Sequence, residues 1–592
     1  MNAAADPIPR RQPAPAWKLW ANPIIRRYAR SRLRPQSFGI WLIIVLLIAG
    51  FIFFLGRSVA HYQANLEMFD AERAPLIPLF ILQGVILFLL GTGQVAGGMT
   101  AEGDEGVLDY QRLAPMSPLA KVLGYLFGLP IREYLLCLAT FPFTLWCLWK
   151  GGVRLDIAGQ LYVTFFSSAL LYHLTGLVSG TVVKNRRWAF LVSMIIVFLL
   201  YTVIPQLAKF GLVYFRYFTV YPVFEDYLPY LLPQKAGAIV ETYSRLLPQA
   251  RFFNIDLPQT VFTLVSQAML VLTGIVMVWR RWHRHESHLL GKVWAVGLFA
   301  WTQILLLGNA LPLIEGGRVF PSREFGKRLA AFQTGGWEPD RMEAVAMSGI
   351  FALVTLTLIM ITTLMITPTR DTQIRGWRRA RKLGNSRLPF FSDPATGFWA
   401  VLTMVVCGTI GWSIFTKAIV ESHWFAGALP WSTYVAFALT LASGGLGFHA
   451  ILEGQGGRQA TLTVIFVGVV PIMLGIVIAS TNDRFAPAAT WITAMSPASG
   501  TLFAPGTTLP LADLPMEIAK AMPRAFWFCQ CLFLLVSLWL IARLVRQRKD
   551  VAESTIDQPT PGKNPPSEDQ APSPPATSPE AETQTTGPSP AE

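Results

Sequence analysis

The chain has 592 residues, of which 53% are hydrophobic and 14% charged, with a formal net charge of +14. Soluble domains carry about 25% charged residues, so an ordinary multidomain soluble protein is excluded. The basic excess would indicate nucleic acid in a soluble chain, but zinc-type spacings, RNA-binding signatures and a soluble basic domain are all missing from the sequence, and that class is excluded too.

Residues 1–37 are polar and basic. An apolar block that starts only at residue 38 lies too far in for a cleavable signal peptide. Arg10-Arg11 leads into Gln12-Pro13-Ala14-Pro15, not into the apolar run of a twin-arginine signal. Asn22 is a good N-cap and Pro23 suits the first helical position. Ile24 and Tyr28 share one face, Arg26, Arg27, Arg30 and Arg34 fill the rest, and Trp17 and Trp20 precede them. This predicts an amphipathic helix lying in the inner membrane interface; the alternative is a set of arginines that only enforces orientation.

Apolar blocks follow in series. A span needs about 20 apolar residues, and in lipid its backbone must bond within its own segment, so each block predicts a helix. The spans are expected at 38–56, 75–100, 119–149, 159–183, 188–208, 259–279, 293–315, 345–367, 396–416, 431–451, 461–479 and 524–542. With the N-terminus inside, the internal segments hold 29 Lys and Arg, well above the number in the longer external ones, as the positive-inside rule requires. The expected fold is therefore all-α and polytopic, with about 12 transmembrane helices and both termini cytoplasmic. Two Pro- and aromatic-rich external loops, 209–258 and 480–523, each precede a sixth span, which predicts two six-helix halves, 38–285 and 286–550. These loops should rest on the outer interface or dip back into it. Residues 551–592 read as a disordered, Pro-rich acidic tail.

The most informative segment is the loop after the second span, residues 101–118, which is acidic on an otherwise basic side. Glu102, Glu105, Gly106, Leu108, Pro115, Met116, Ser117 and Pro118 lie in it, and Gly124 follows. Ser117 can cap a helix with Pro118 at its first position, returning the chain as the third span. This run resembles the type-2 ABC exporter permease family, whose members carry Glu-x-x-Glu/Arg-Gly-x-Leu, then Pro-Leu-Ser-Pro and a Gly-containing helix, right after the second span. Asn22-Pro23 and the basic stretch containing Arg26, Arg27 and Arg30 resemble the interfacial helix of the same family, and the Pro-rich loop before the sixth span is similar as well. The resemblance implies the membrane permease of an ATP-driven exporter. It implies that 101–118 is a coupling element docking on a separate ATP-binding subunit, with further membrane subunits possible. Exposed carboxylates at Glu102 and Glu105 would set register with basic groups of that partner.

The sequence departs from the family in the second half, where Thr367–Asp393 is basic and lacks the pattern. The chain carries no GxxxxGK[ST] loop: Gly291-Lys292, Gly326-Lys327 and Gly562-Lys563 lack the upstream Gly and the following Ser or Thr. No cofactor of its own and no catalytic activity are expected, and ATP would be bound by the partner. The rival readings are an ion-coupled secondary transporter with two six-helix halves and a non-transporting membrane assembly protein. Gly106-x-x-Asp109-x-x-Arg112 is only faintly like a carrier signature, and Glu133, Glu421 and Glu453 sit toward span ends, not at mid-depth. Arg132 and Glu133 read as snorkelling charges, and His173 and His449 as satisfied core residues. His283, His285 and His288 stand among Arg280, Arg281 and Arg284, which oppose a metal, so no metal site is expected. The five cysteines lie in the spans as small apolar residues. Gly93-xxx-Gly97 and Gly124-xxx-Gly128 permit close helix packing. A multi-pass protein of a bacterial inner membrane is the expected setting.

Overall fold

The computed structural model describes residues 18–63, 68–233, 250–284, 287–322, 338–385, 388–509 and 515–554. Trp17, His285 and the tail from residue 555 lie outside the described residues. Among the described residues, 12 helices are long and apolar enough to cross a membrane. Each expected block becomes one of them.

In chain order, α1 (Pro23–Arg32) precedes the first span, α2 (Pro35–Tyr62), and the second, α3 (Leu76–Asp104). Two short helices follow, α4 (Val107–Leu113) and α5 (Pro118–Gly128). Then come the spans α6 (Ile131–Lys150), α7 (Leu155–Val182) and α8 (Arg186–Phe210). The surface helix α9 (Tyr221–Leu231) and a hairpin of β1 (Ala250–Phe252) with β2 (Ile255–Leu257) lead to the sixth span, α10 (Gln259–His283). The hairpin is antiparallel, pairing Arg251 with Asp256, and is a small departure from the all-α expectation. The chain continues through α11 (Lys292–Ile314), α12 (Arg341–Ile366), the basic helix α13 (Arg370–Lys382), α14 (Phe398–Val420), α15 (Trp431–Gln455) and α16 (Gly457–Thr481). Two short helices, α17 (Ala486–Ala494) and α18 (Gly500–Thr508), precede α19 (Met516–Ser554). α19 stays helical to Ser554, so the tail expected from residue 551 starts later.

The third block differs from its expectation. Residues 119–149 were read as one span entered from Ser117 and Pro118, but the helix stops at Gly128 and restarts at Ile131. Pro130 has no N–H to continue the ladder, so α5 stays a separate element on the membrane face. A related device recurs in α8 and α16. Each contains a widened π turn, at Leu199–Val203 and Val464–Val469, with a proline just beyond, Pro205 and Pro471. The proline ring would clash with the carbonyl four residues back, and the wider turn relieves that.

The loop before α19 dips back into the protein. Ser496 Oγ donates to Gly468 O at 2.6 Å. Gly468 lies 13 residues before the end of α16, about 20 Å down that helix at 1.5 Å per residue. In the loop before α10, Tyr227 donates to Gln160 Oε1 near the start of α7 at 2.6 Å, and Thr260 of α10 donates to the same atom at 2.9 Å. Tyr214, Phe215, Tyr217 and Phe218 from that loop join the large core built mainly from α11, α12, α14 and α15. Two smaller cores belong to the first six spans and the elements around them. α16 is the most peripheral span, with 6% of its apolar window buried; its exposed Ile465, Phe466, Met473 and Ile476 suit contact with lipid tails.

One face gathers the charged elements. α1 packs on α5, and α5 on the end of α10, where Tyr125 and Trp282 stack at 5.3 Å. Arg280 of α10 pairs with Asp393 at 2.7 Å, and Arg381 of α13 donates to Ala552 O of α19. Both described ends of the chain therefore lie on this basic face.

Candidate functional site

The site is built around the end of α3. Glu102 sits in its last turn and is 5% exposed. An ionised carboxylate taken out of water must be paired and hydrogen-bonded, and three side chains from two elements supply the donors. Arg27 of α1 reaches Oε1 at 2.6 Å and Oε2 at 3.3 Å. Tyr28, also of α1, donates to Oε1 at 2.6 Å. Tyr125 of α5 donates to Oε2 at 2.8 Å. Burial first, and then the Glu102 carboxylate, push both phenols above the usual tyrosine range, so both remain protonated donors at neutral pH. The two rings meet edge to face at 5.9 Å.

The preamble is seated by the same logic. Asn22 Oδ1 accepts from Ile24 N at 3.0 Å, capping α1, while its Nδ2 donates to Ala120 O at 2.7 Å. Ser117 caps α5 through Ala120 N at 3.2 Å, with Pro118 at the first position. The helices lie close because Gly124 has no side chain: a Cβ there would stand 2.9 Å from Asn22 Oδ1 and 3.0 Å from Ile24 Cβ. Ile24, Ile25 and Tyr28 are buried, so the apolar face expected to lie in lipid packs on protein instead. Arg26 and Arg30 stay exposed, Arg26 donating to Trp20 O at 2.8 Å. Arg32 donates to Gln94 of α3 at 2.7 Å.

Beyond Glu102 the chain projects from this seat. Gly106 has φ +69°, a left-handed conformation that glycine adopts without strain, and starts α4 there. Leu108 is half-buried and packs toward the α1–α5 core. Lys121 Nζ donates to Arg112 O at 3.3 Å; burial, then Arg112, hold that amine below its ordinary range. The outer side of α4 is open: Tyr110 is 77% and Leu113 85% exposed. Asp104, Glu105, Asp109, Pro115 and Ser117 are exposed as well, and Asp109 pairs with Arg112 along the helix.

The acidic loop thus divides. Glu105 is exposed as expected, whereas Glu102, expected to be exposed, is buried in an internal network because three donors converge on it. Tyr28, Tyr125 and Trp282 were not singled out for this site by sequence reasoning; only Tyr28, four residues after Ile24, carried a periodic signal. Glu453 is a second unforeseen anchor. It accepts from Gln373 of α13 at 2.6 Å and from Arg548 of α19, and lies 3.2 Å from His449. His173 is a satisfied core residue, bonded to Tyr134 at 2.8 Å and Leu87 O at 2.9 Å. Glu133 is buried against Arg132 at 2.6 Å, and Arg132 stacks over Trp41, so the carboxylate is paired inside the protein. His283 stacks on Trp279 at 5.7 Å. Among the described residues, no group of three His, Cys, Asp or Glu side chains could hold a metal ion.

No protein-family model matches this chain, and no curated protein or solved structure matches it either.

Proposed function

We propose that the chain is the membrane permease of an ATP-driven exporter, energised by a separate ATP-binding subunit that docks on residues 101–118. The observation that carries this reading is α4: a short helix with Tyr110 and Leu113 open, within an acidic loop rooted at the end of a span through a buried carboxylate. Interfaces concentrate their energy in a few aromatic and apolar anchors, and surrounding charge sets orientation and encounter rate. Glu105 and Asp109 supply that charge here. A push on α4 passes through Leu108 and Glu102 to α3, α1 and α5 together, because Glu102 of α3 bonds both α1 and α5. ATP-driven closure of the partner would thereby shift the spans between inward- and outward-open forms.

In this reading the basic face is cytoplasmic, following the positive-inside rule, both termini are inside, and the setting is a bacterial inner membrane. The matching π turn and proline in α8 and α16, each the fifth span of its six, support two related six-helix halves.

The test is purification of the tagged protein from its own membranes in mild detergent, with mass spectrometry of what accompanies it. Wild type should bring an ATP-binding subunit with it. Glu105→Lys/Asp109→Lys and Tyr110→Ala/Leu113→Ala should each lose it at least about tenfold, the effect of about 1.4 kcal/mol. Recovery of wild type without any ATPase, under conditions that preserve other membrane complexes, would sink the proposal and favour the secondary transporter.

A further inference from the structure

Where the first six spans meet the last six on the basic face, the chain forms an open cavity of about 940 Å³, at the upper end of the roughly 300–1,000 Å³ typical of small-ligand sites. Its lining includes Arg280 and Arg284 at the end of α10, Arg375 and Arg379 on α13, and the segment 388–394. Asp393 is the one carboxylate among the described lining residues, and it is already bonded to Arg280 at 2.7 Å. Among those residues the lining carries four guanidinium groups to one carboxylate.

The walls are fixed before any ligand arrives. Arg280 is held by Asp393 and also donates to His288 O at 3.2 Å. Lys292 Nζ bonds Ser392 O and Ala395 O at 2.6 and 2.8 Å, securing the 388–394 wall. Gly376 of α13 lies directly against Pro394. A preorganised guanidinium suits phosphate, whose oxygens accept paired N–H bonds. The remaining lining combines polar residues such as Ser287, Thr372 and Asn385 with apolar ones such as Trp279, Leu383, Leu388 and Phe391, and it sits at a span end. Trp279 and Phe391 line the cavity and are exposed, in the position where aromatic side chains mark the headgroup layer.

We propose that this cavity binds the phosphate headgroup of an anionic phospholipid from the leaflet bordering the basic face, with the acyl chains leaving past Trp279 and Phe391. Basic pockets between spans are the expected receptors for such headgroups. The proposal requires only that this face borders a bilayer; it stands apart from the ATP-binding partner.

The experiment uses the full chain in mild detergent, titrated with dioctanoyl phosphatidylglycerol and read by native mass spectrometry. Wild type should bind this lipid at least about tenfold more tightly than dioctanoyl phosphatidylcholine. Arg284→Ala/Arg379→Ala should weaken it about 30-fold, following the usual attraction per basic side chain near a membrane surface. Arg370→Ala/Lys382→Ala removes equal charge from α13 outside the cavity and should weaken binding far less than the cavity pair does. Arg284→Lys/Arg379→Lys keeps the charge and should lose less than the alanine pair. Equal losses in the two alanine pairs, or equal binding of the two lipids, would overturn the proposal. Inorganic phosphate and glycerol 1-phosphate at the lipid's concentration should leave it bound; equal displacement would assign the cavity to soluble phosphate and end the lipid reading.

Discussion

The loops after the second span and after the eighth occupy corresponding places, yet they present opposite charge. Both are held down by a buried carboxylate. In the first, Glu102 belongs to the span that feeds the loop, and the rest of the acidic loop is left outside, with Tyr110 and Leu113 of its short helix open. In the second, Glu453 belongs to α15 and reaches across to Gln373 of α13 and Arg548 of α19. What remains outside there is basic, and part of it lines the cavity. The difference teaches that the anchor and the exposed surface are separable: a desolvated carboxylate surrounded by donors fixes position, and the residues around it decide what the loop can meet.

Substitutions can break this comparison at either anchor or at either surface. The largest effect is expected from Glu102→Ala, which strands two buried phenols and releases Arg27. It should cost about 3 kcal/mol, the low end for a broken buried pair because Arg27 can reach water. Thermal unfolding should register the loss, and protease cleavage after the arginines of α1 should accelerate. Glu102→Gln, which still accepts hydrogen bonds, should lose less. Glu453→Ala should cost about 2 kcal/mol, since Arg548 can turn to solvent, and should loosen α13 and the end of α19 while leaving α1 protected. If instead it exposed α1, the two anchors would not be independent.

Smaller effects come from the first loop's surface. Gly106→Ala places a side chain in the left-handed region and should cost about 1 kcal/mol, seen as faster hydrogen exchange confined to residues 103–113. Glu105→Lys/Asp109→Lys should leave stability within about 0.5 kcal/mol while abolishing capture of the ATPase. A stability loss like that of Glu102→Ala would mean that these acids also act as anchors.

The number of spans and their places were legible because lipid admits a helix only as a long, uncharged block, and each of the 12 helices stands where one such block lies. The caps at Asn22 and Ser117 were legible too, since side chain and following proline announce them locally. The division of 119–149 was not, because α5 is apolar enough to pass for part of a span. Nor was the burial of Glu102. Its donors Tyr28 and Tyr125 lie 74 and 23 residues away, and a single sequence carries no record of such distant pairing. Glu105, three residues on and alike in chemistry, is exposed.

The same distance has a consequence for biogenesis. Glu102 and Tyr125 emerge long after α1 has been made, so α1 has neither its anchor nor its seat on α5 while the first two spans are inserted. At roughly 5–20 residues per second, the arginine-rich segment waits several seconds undocked, available to hold its side of the membrane while orientation is decided. Chains stalled on the ribosome before Glu102 has emerged should be cut readily within α1, and chains stalled well beyond residue 150 should resist, so the clasp closes only after the topology it locks has been chosen.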